Sequence, residues 1–174
     1  MVIAIDGPAG SGKSTIAKLI AQKLKLVFLN SGSFYRGITL SLLDNGITIS
    51  DADSVCTHAS SLDLGYAHER LTVNGTDVDD FLHTDRVDAQ VAQVSAIPAL
   101  RTIVNTKLRE ITKSLSIVCE GRDMTTVVFP DAEYKFYLDA SLDVQAERRF
   151  NQGVSSLSLE EIKDSIRKRD EIDK

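Results

Sequence analysis

The sequence has little cysteine, no long apolar run and no excess of basic residues. Its two cysteines, Cys56 and Cys119, match no zinc-ligand spacing and no disulfide framework, so we expect two buried, reduced thiols. No stretch approaches the roughly 18 apolar residues of a membrane-spanning helix, and Asp6 interrupts the N-terminal apolar run too early for a signal peptide. The formal net charge of -5 argues against binding to bulk nucleic acid or an anionic membrane. These absences predict a soluble cytoplasmic protein.

Strand and helix patterns alternate along the chain. The short, mostly apolar runs at 2–6, 26–30, 115–120 and 134–140 are typical of buried parallel strands. Between the first two, apolar residues recur at helical spacing over 16–24, which makes a strand, loop, helix, strand unit. A chain of 174 residues, 43% of them hydrophobic, can bury one sizeable core. The pattern predicts a single α/β domain with a parallel core sheet flanked by helices.

Three further segments depart from this alternation or extend it. Segment 62–84 has β-forming residues around turn residues and no helical pattern, which predicts a small antiparallel β insert. A long helix is predicted over about 88–112, bent or restarted at Pro98 because proline lacks a backbone donor. Near the C-terminus, another amphipathic helix is predicted after Ser158, which with Glu161 would form a capping box.

The segment GPAGSGKS at 7–14 matches the pattern G-x-x-x-x-G-K-[ST] between a predicted strand and a predicted helix. Glycines let the backbone curl so that successive N–H groups point inward, and the helix N-terminus adds its partial positive charge. Lys13 would bring a positive charge to the β and γ phosphates, and Ser14 would hold Mg²⁺. The segment therefore predicts a phosphate-binding loop. Its residues are Gly7, Pro8, Ala9, Gly10, Ser11, Gly12, Lys13, Ser14 and Thr15.

The loop alone does not separate kinases from GTPases or ATPases, but the guanine-binding pattern N-K-x-D is absent from the sequence. The segment NSGSFYR, directly after the second predicted strand, lies where a parallel sheet builds its ligand crevice. Its Ser31, Tyr35 and Arg36 would suit a second phosphorylated ligand. The alternative is a helix start capped by Ser31, with Arg36 in solvent.

Two more polar groups have both a functional and a structural interpretation. The third predicted strand ends in CEGRDM, which places Glu120, Arg122 and Asp123 at the same edge of the sheet, as ligand-binding groups or as a salt-bridged turn. Arg169 and Asp173 are four residues apart and so share one helical face, as substrate ligands or as a solvated ion pair.

Several segments together resemble the cytidylate kinase family of bacteria, in order and over nearly the whole chain. They are IDGPAGSGKST, NSGSFYR, CEGRDMTTVVFPDA, FYLDAS, RRFNQ and RKRDEID. The resemblance implies transfer of a phosphoryl group from ATP to CMP or dCMP with Mg²⁺. It implies a P-loop nucleoside monophosphate kinase fold with a core (1–30 and 115–140), a monophosphate-binding region with the β insert (about 31–112) and a helical lid (about 141–174).

The resemblance also implies roles for individual residues. Arg122 and Asp123 fall on the family's cytosine-binding pair, which agrees with the donors and acceptors on the edge of cytosine. Arg148 falls on the ATP side, and Lys13, Arg149 and Arg169 would stabilise charge during transfer. The positions that match the family's CMP-binding residues are Ser31, Tyr35, Arg36, Arg101, Arg122, Asp123, Arg169 and Asp173.

The sequence departs from the family pattern at Ala92, where the family usually has serine, and at Thr125, where it has glycine. The sequence ends at Lys174, before the last arginine of the family motif R-D-x-x-D-x-x-R, and a final strand and helix are expected to be missing. The alternatives are therefore a kinase for another small acceptor such as UMP, and a shortened nucleotide-binding protein with weak activity. Only small-molecule partners are expected, and the protein is expected to be a monomer.

Overall fold

The computed structural model describes residues 1–151, 153 and 157–172. In chain order, the elements are β1 (Val2–Asp6), α1 (Lys13–Leu24), β2 (Val27–Asn30), α2 (Ser31–Asp44), α3 (Ala52–Ser61), β3 (Leu64–Ala67), β4 (Arg70–Val73), β5 (Thr76–Asp77), a 3₁₀ turn (Asp79–Phe81), α4 (Asp85–Ser95), α5 (Pro98–Thr112), β6 (Ile117–Gly121), a π-helical turn (Met124–Val128), β7 (Tyr134–Tyr137), α6 (Leu142–Asn151) and α7 (Leu159–Ile172). The chain divides into two compact units. Unit 1 comprises Met1–Phe28 and Ile117–Lys174, and unit 2 comprises Leu29–Ser116.

The main sheet has four strands in the order β2-β6-β1-β7. Strand β1 is parallel to both of its neighbours, with Val2 opposite Ile117 and Ile3 opposite Tyr134. The predicted parallel sheet is thus confirmed, although β6 begins two residues later than predicted and β7 ends at Tyr137. The prediction of a buried strand is wrong for β7, whose four residues are exposed because it is the last strand in the order of the described sheet. In unit 1, the sheet and α1 share one buried cluster, whose members are Ile3, Ile5, Ala17, Ala21, Phe28 and Val118.

Helix α1 is confirmed, but of the four apolar side chains that predicted it only Ile20 packs against the buried cluster. Ile16, Leu19 and Leu24 are 41%, 48% and 54% exposed, whereas Ala17 and Ala21 are buried. Alanine places little more than a methyl group between the helix backbone and the core. The small residues together with Ile20 therefore mark the face that packs on the sheet, and the other large apolar residues do not.

Unit 2 contains the predicted β insert, in which β3, β4 and β5 form a three-stranded antiparallel sheet. Helix α2 packs closely on this sheet at Gly37, where a Cβ would lie 2.3 Å from Cδ2 of Leu71. The ring of Phe34 stacks on that of Tyr66 with centroids 6.1 Å apart. The close approach of Leu71 to α2 explains why glycine occupies position 37.

The helix predicted over 88–112 is two helices, because α4 ends at Ser95 and α5 begins with Pro98 as its first residue. Proline suits this position because the first N–H of a helix has no partner within the helix. Of the two outcomes predicted at Pro98, a bend or a restart, the restart is the one observed.

In unit 1, α7 begins with the predicted capping box. The hydroxyl of Ser158 accepts from the N–H of Glu161 at 3.4 Å, and the Glu161 carboxylate accepts from the N–H of Ser158 at 2.8 Å. Ile162 and Ile166 then pack on Ala146 of α6. The cap and the apolar stripe together explain where this helix starts and what it packs against.

Both cysteines are free thiols, as expected, but only Cys119 is buried. Cys56 is half-buried, so the prediction of two buried thiols is wrong for that residue. In the part of the chain that the structure describes, no helix has the length and apolarity needed to cross a membrane.

Candidate active site

The phosphate loop runs from the end of β1 to the start of α1, as its sequence context predicts. Gly7, Gly10 and Gly12 have φ angles of 152°, 73° and 95°, a region that favours glycine. At Gly7 an added Cβ would lie 2.0 Å from the carbonyl oxygen of Leu138. The curl of the loop therefore requires these glycines, both for backbone conformation and for space.

Lys13 is the first residue of α1 and is only 8% exposed. Its ammonium donates a hydrogen bond to the carbonyl oxygen of Pro8 at 2.6 Å, across the loop. A cation buried to this extent needs such polar partners. The ammonium and the N-terminus of α1 together concentrate positive charge in the loop, which favours phosphate.

Ser14 follows Lys13, and its hydroxyl donates to Oε1 of Glu120 at 2.6 Å. Glu120 lies near the carboxyl end of β6 and is 5% exposed, so β6 brings its carboxylate beside the phosphate loop. Hydroxyl and carboxylate oxygens are ligands that Mg²⁺ accepts in proteins. Within residues 1–151, 153 and 157–172, no cluster of three or more His, Cys, Asp and Glu side chains could hold a metal ion alone. An ion at Ser14 would need oxygens from a phosphorylated ligand and water to complete its shell.

Helix α6 packs against the phosphate loop through Arg148 and Gln145. Nη1 of Arg148 donates to the carbonyl oxygens of Gly10 and Ser11, at 3.3 and 2.9 Å. At Gly10, an added Cβ would lie 3.2 Å from Cβ of Gln145. Arg148 was expected on the ATP side, and the structure places it on the loop itself. Arg149 is half-buried, one position further along α6.

Arg122 and Asp123 lie directly after β6 and are half-buried. The turn that follows them is held by Asp6, the last residue of β1, whose carboxylate accepts from the N–H groups of Met124 and Thr125 at 2.7 and 2.9 Å. The hydroxyl of Thr125 donates to the same carboxylate at 2.5 Å. Thr125 thus forms a side-chain hydrogen bond that the glycine found at this position in the family could not form.

The sequence did not predict a role for Asp6. Its partners lie 118 and 119 residues further along the chain, so only the folded sheet brings them together. A charged residue closing an apolar strand was the available signal, because a carboxylate buried at a strand end needs donors from elsewhere.

In unit 2, the predicted phosphate-binding residues follow β2 on the first turns of α2. The helix cap is Asn30, whose side chain accepts from the N–H of Gly32 at 2.8 Å, so the alternative of Ser31 as cap is wrong. Ser31 and Tyr35 are 4% and 8% exposed. The guanidinium of Arg101 from α5 lies over the Tyr35 ring, 5.8 Å from its centroid. The structure therefore brings Arg101 to the NSGSFYR segment, while the binding of phosphate by Arg101 stays a prediction.

Arg36 is paired within unit 2 and does not lie in solvent, as the alternative interpretation had it. Its Nη1 contacts Oδ1 of Asp88 at 2.5 Å and donates to the carbonyl oxygen of Leu82 at 2.9 Å. A guanidinium has five N–H donors, so these contacts leave Arg36 donors for an anion.

The predicted roles of Arg169, Asp173 and Ala92 all stay predictions. The side chain of Arg169 and the whole of Asp173 lie outside the described residues. Ala92 is a half-buried residue of α4, and its carbonyl oxygen accepts from the Ser95 hydroxyl at 3.1 Å. The predicted loss of a substrate hydrogen bond at Ala92 stays a prediction.

The family model described as cytidylate kinase matches residues 3–174. The cytidylate kinase of Borreliella burgdorferi (strain ZS7) is 42% identical, over 100% of this chain and 81% of that protein. The cytidylate kinase of Caldanaerobacter subterraneus subsp. tengcongensis is 40% identical, over 98% and 78%. The cytidylate kinase of Clostridium botulinum (strain Loch Maree / Type A3) is 38% identical, over 98% and 80%.

Proposed function

The chain belongs to the cytidylate kinase family, and from this premise we propose how it transfers the γ-phosphoryl group of ATP to CMP or dCMP. The observation that supports this function most directly is the phosphate loop, in which Lys13 and the start of α1 direct positive charge inward. The reaction is a phosphoryl transfer, which depends on positioning and charge stabilisation and needs little covalent participation by the protein. We therefore assign each group of residues to the part of the substrates whose charge it would stabilise.

ATP would bind with its phosphates in the loop of residues 7–15. The inward N–H groups and the Lys13 ammonium would stabilise the β and γ phosphates. Arg148 lies against the same loop and would hold its shape or contact a phosphate. Arg149 and Arg169 would add positive charge around the transferring group.

Mg²⁺ fits the Ser14 position, because the Ser14 hydroxyl and the Glu120 carboxylate are paired oxygen donors beside the loop. When bound, the ion would neutralise charge that develops on the phosphate oxygens. Ser14 would be its protein ligand, and Glu120 would orient the hydroxyl.

The CMP phosphate would bind to the residues around the start of α2. Ser31 and Tyr35 supply hydroxyl groups, and Arg36 and Arg101 supply guanidinium groups that suit phosphate oxygens. The contact of Arg101 with the Tyr35 ring supports this grouping. Arg169 would contact phosphate as well, and Asp173 would accept a hydrogen bond from a pentose hydroxyl.

Cytosine would be recognised by Arg122 and Asp123, here called the base-reading pair. An aspartate can accept from the N4 amino group of cytosine, and an arginine can donate to its acceptor edge. UMP carries a carbonyl oxygen at that position and would place an acceptor against the carboxylate. This difference would favour CMP over UMP.

No general base is required for the reaction. The CMP phosphate oxygen would attack the γ phosphorus in line, and binding would align the two groups. Helices α6 and α7 would form the lid, and exclusion of water would limit hydrolysis of ATP. Both substrates are small soluble anions, which suits an enzyme of the cytoplasm, and we further propose that it acts there as a monomer.

A coupled assay of ADP formation tests the function across CMP, dCMP, UMP, AMP, GMP and dTMP at fixed ATP and Mg²⁺. We expect kcat/KM for CMP or dCMP to exceed the values for the other acceptors by at least about tenfold, the scale of one mispaired polar group. Higher kcat/KM for UMP would favour the other-acceptor alternative. Formation of ADP that does not depend on any acceptor would contradict kinase activity.

A further inference from the structure

The carboxylate of Asp6 is buried at the end of β1, and both of its oxygens accept hydrogen bonds. Asp6 is 3% exposed and directly precedes Gly7, the first residue of the phosphate loop. Oδ1 accepts from the N–H of Met124 at 2.7 Å, and Oδ2 accepts from the N–H and the hydroxyl of Thr125 at 2.9 and 2.5 Å. One side chain thus connects the start of the phosphate loop with the turn after the base-reading pair.

These three hydrogen bonds make a firm attachment. A buried carboxylate is stable only when its oxygens have donors, and hydrogen bonds to a charged acceptor are stronger than neutral ones. The N–H groups of Met124 and Thr125 open a helical turn and therefore have no acceptor within it. A negative charge is also favourable at the N-terminus of a helical turn.

The turn itself holds the same end of the base-reading pair through a second set of hydrogen bonds. The carbonyl oxygen of Asp123 accepts from the N–H groups of Val127 and Val128, at 2.9 and 3.1 Å. The Met124 side chain is 2% exposed and fixes the turn in the core. The peptide group that joins Asp123 to Met124 is therefore held at both of its polar atoms, the carbonyl oxygen by the turn and the N–H by Asp6. Single π-helical turns of this kind are frequent at functional sites.

We propose that Asp6 and Thr125 are positioning residues for recognition of the acceptor base. Their hydrogen bonds hold Arg122 and Asp123 in the orientation that binds cytosine. The inference rests on the proposed function, and it assigns Thr125 a share of the affinity for CMP. Neither Asp6 nor Thr125 contacts the substrate in this account, because both act through the backbone of the base-reading pair.

The test compares three variants of neighbouring threonines. Thr125→Val removes the hydroxyl and keeps the N–H and the shape, Thr125→Ser keeps the hydroxyl, and Thr126→Val makes the same change at an exposed position of the same turn. Isothermal titration measures the Kd values for CMP and for a non-hydrolysable ATP analogue. We expect Thr125→Val to raise the Kd for CMP about three- to tenfold, the scale of one hydrogen bond. The Kd for the ATP analogue should change by less than about twofold. Thr125→Ser and Thr126→Val should resemble the wild type.

The outcomes separate this inference from the proposed function. A wild type that binds no nucleoside monophosphate overturns the function, and the inference with it. Wild-type binding of CMP together with unchanged CMP affinity in Thr125→Val overturns the inference alone. Equal weakening of CMP and the ATP analogue would mean that the hydroxyl only supports the fold. If Thr125→Val does not fold, Thr125→Ala carries the same expectation.

Discussion

Three charged side chains of unit 1 are oriented by the backbone and side-chain groups around them. Lys13 occupies the first position of α1, where its ammonium crosses the loop to the Pro8 carbonyl oxygen. Asp6 and Glu120 lie near the ends of the neighbouring strands β1 and β6. Asp6 accepts a hydrogen bond from the N–H of Met124, and Glu120 accepts one from the hydroxyl of Ser14. Each of these side chains is less than a tenth exposed, so its partners determine its orientation.

Lys13→Met should reduce kcat by about a hundredfold or more, the scale for removing one electrostatic stabiliser of the transition state. The aliphatic part of the side chain is kept, so we expect the melting temperature to stay close to that of the wild type. Lys23→Met changes an exposed lysine in the last turn of the same helix and serves as the control. Near wild-type turnover in Lys13→Met would contradict the assignment of the phosphate loop.

Arg122→Met should raise KM for CMP about ten- to a hundredfold, because it removes hydrogen bonds from a charged donor to the base. The KM for ATP should change by less than about twofold, since Arg122 is assigned only to the acceptor. Arg167→Met, which alters an exposed ion pair with Asp164 on α7, provides the comparison. An equal rise of both KM values would favour a salt-bridged turn over base recognition.

The two thiols should differ in reactivity. Burial, and to a smaller extent the negative charges of Glu120 and Asp6, raise the pKa of Cys119 well above its ordinary value. Its thiol therefore stays protonated at neutral pH and in mildly alkaline solution, and the thiolate is the reactive form. Labelling with iodoacetamide at pH 8, followed by peptide mass analysis, should modify Cys56 and spare Cys119 in the folded protein. Modification of Cys119 at the rate of Cys56 would contradict this burial.

At the scale of elements, strands were easier to predict than helices. Strands β1 and β6 are short apolar runs buried in the middle of the sheet, where every side chain contributes to the signal. Helix α3 was missed because it buries only Val55 and Ala59 and so shows no apolar stripe. Helix α2 was considered only as one alternative, because it is buried on several sides and its pattern lacks a polar face.

Helix α7 offers a direct measure of its capping box. Ser158→Ala removes the side-chain acceptor for the N–H of Glu161 and should reduce the free energy of unfolding by about 1 kcal/mol. Ser165→Ala makes the same change at an exposed position within α7, where alanine favours the helix, and should be neutral or slightly stabilising. Urea unfolding of both variants checks the difference. Equal stabilities would show that the cap contributes nothing to the folded state.

At the scale of the whole molecule, the predicted site residues divide between the two units. The phosphate loop, Glu120 and the base-reading pair belong to unit 1, and the phosphate-binding residues around α2 belong to unit 2. The sequence motifs predicted both groups, because each motif lies at a strand end where parallel sheets bind ligands. They did not predict the partners, such as Ser14 with Glu120, that are distant in sequence and meet only through the register of the strands.

A labelling experiment tests whether the protein transfers the γ-phosphoryl group of ATP directly to CMP. The protein is incubated with Mg²⁺, CMP and ATP labelled with ³²P at the γ position, and the products are separated by chromatography. Direct transfer predicts that label appears in CDP at a rate equal to that of ADP formation, and only when CMP is present. Label released as orthophosphate, or retained in ATP at saturating CMP, would contradict it.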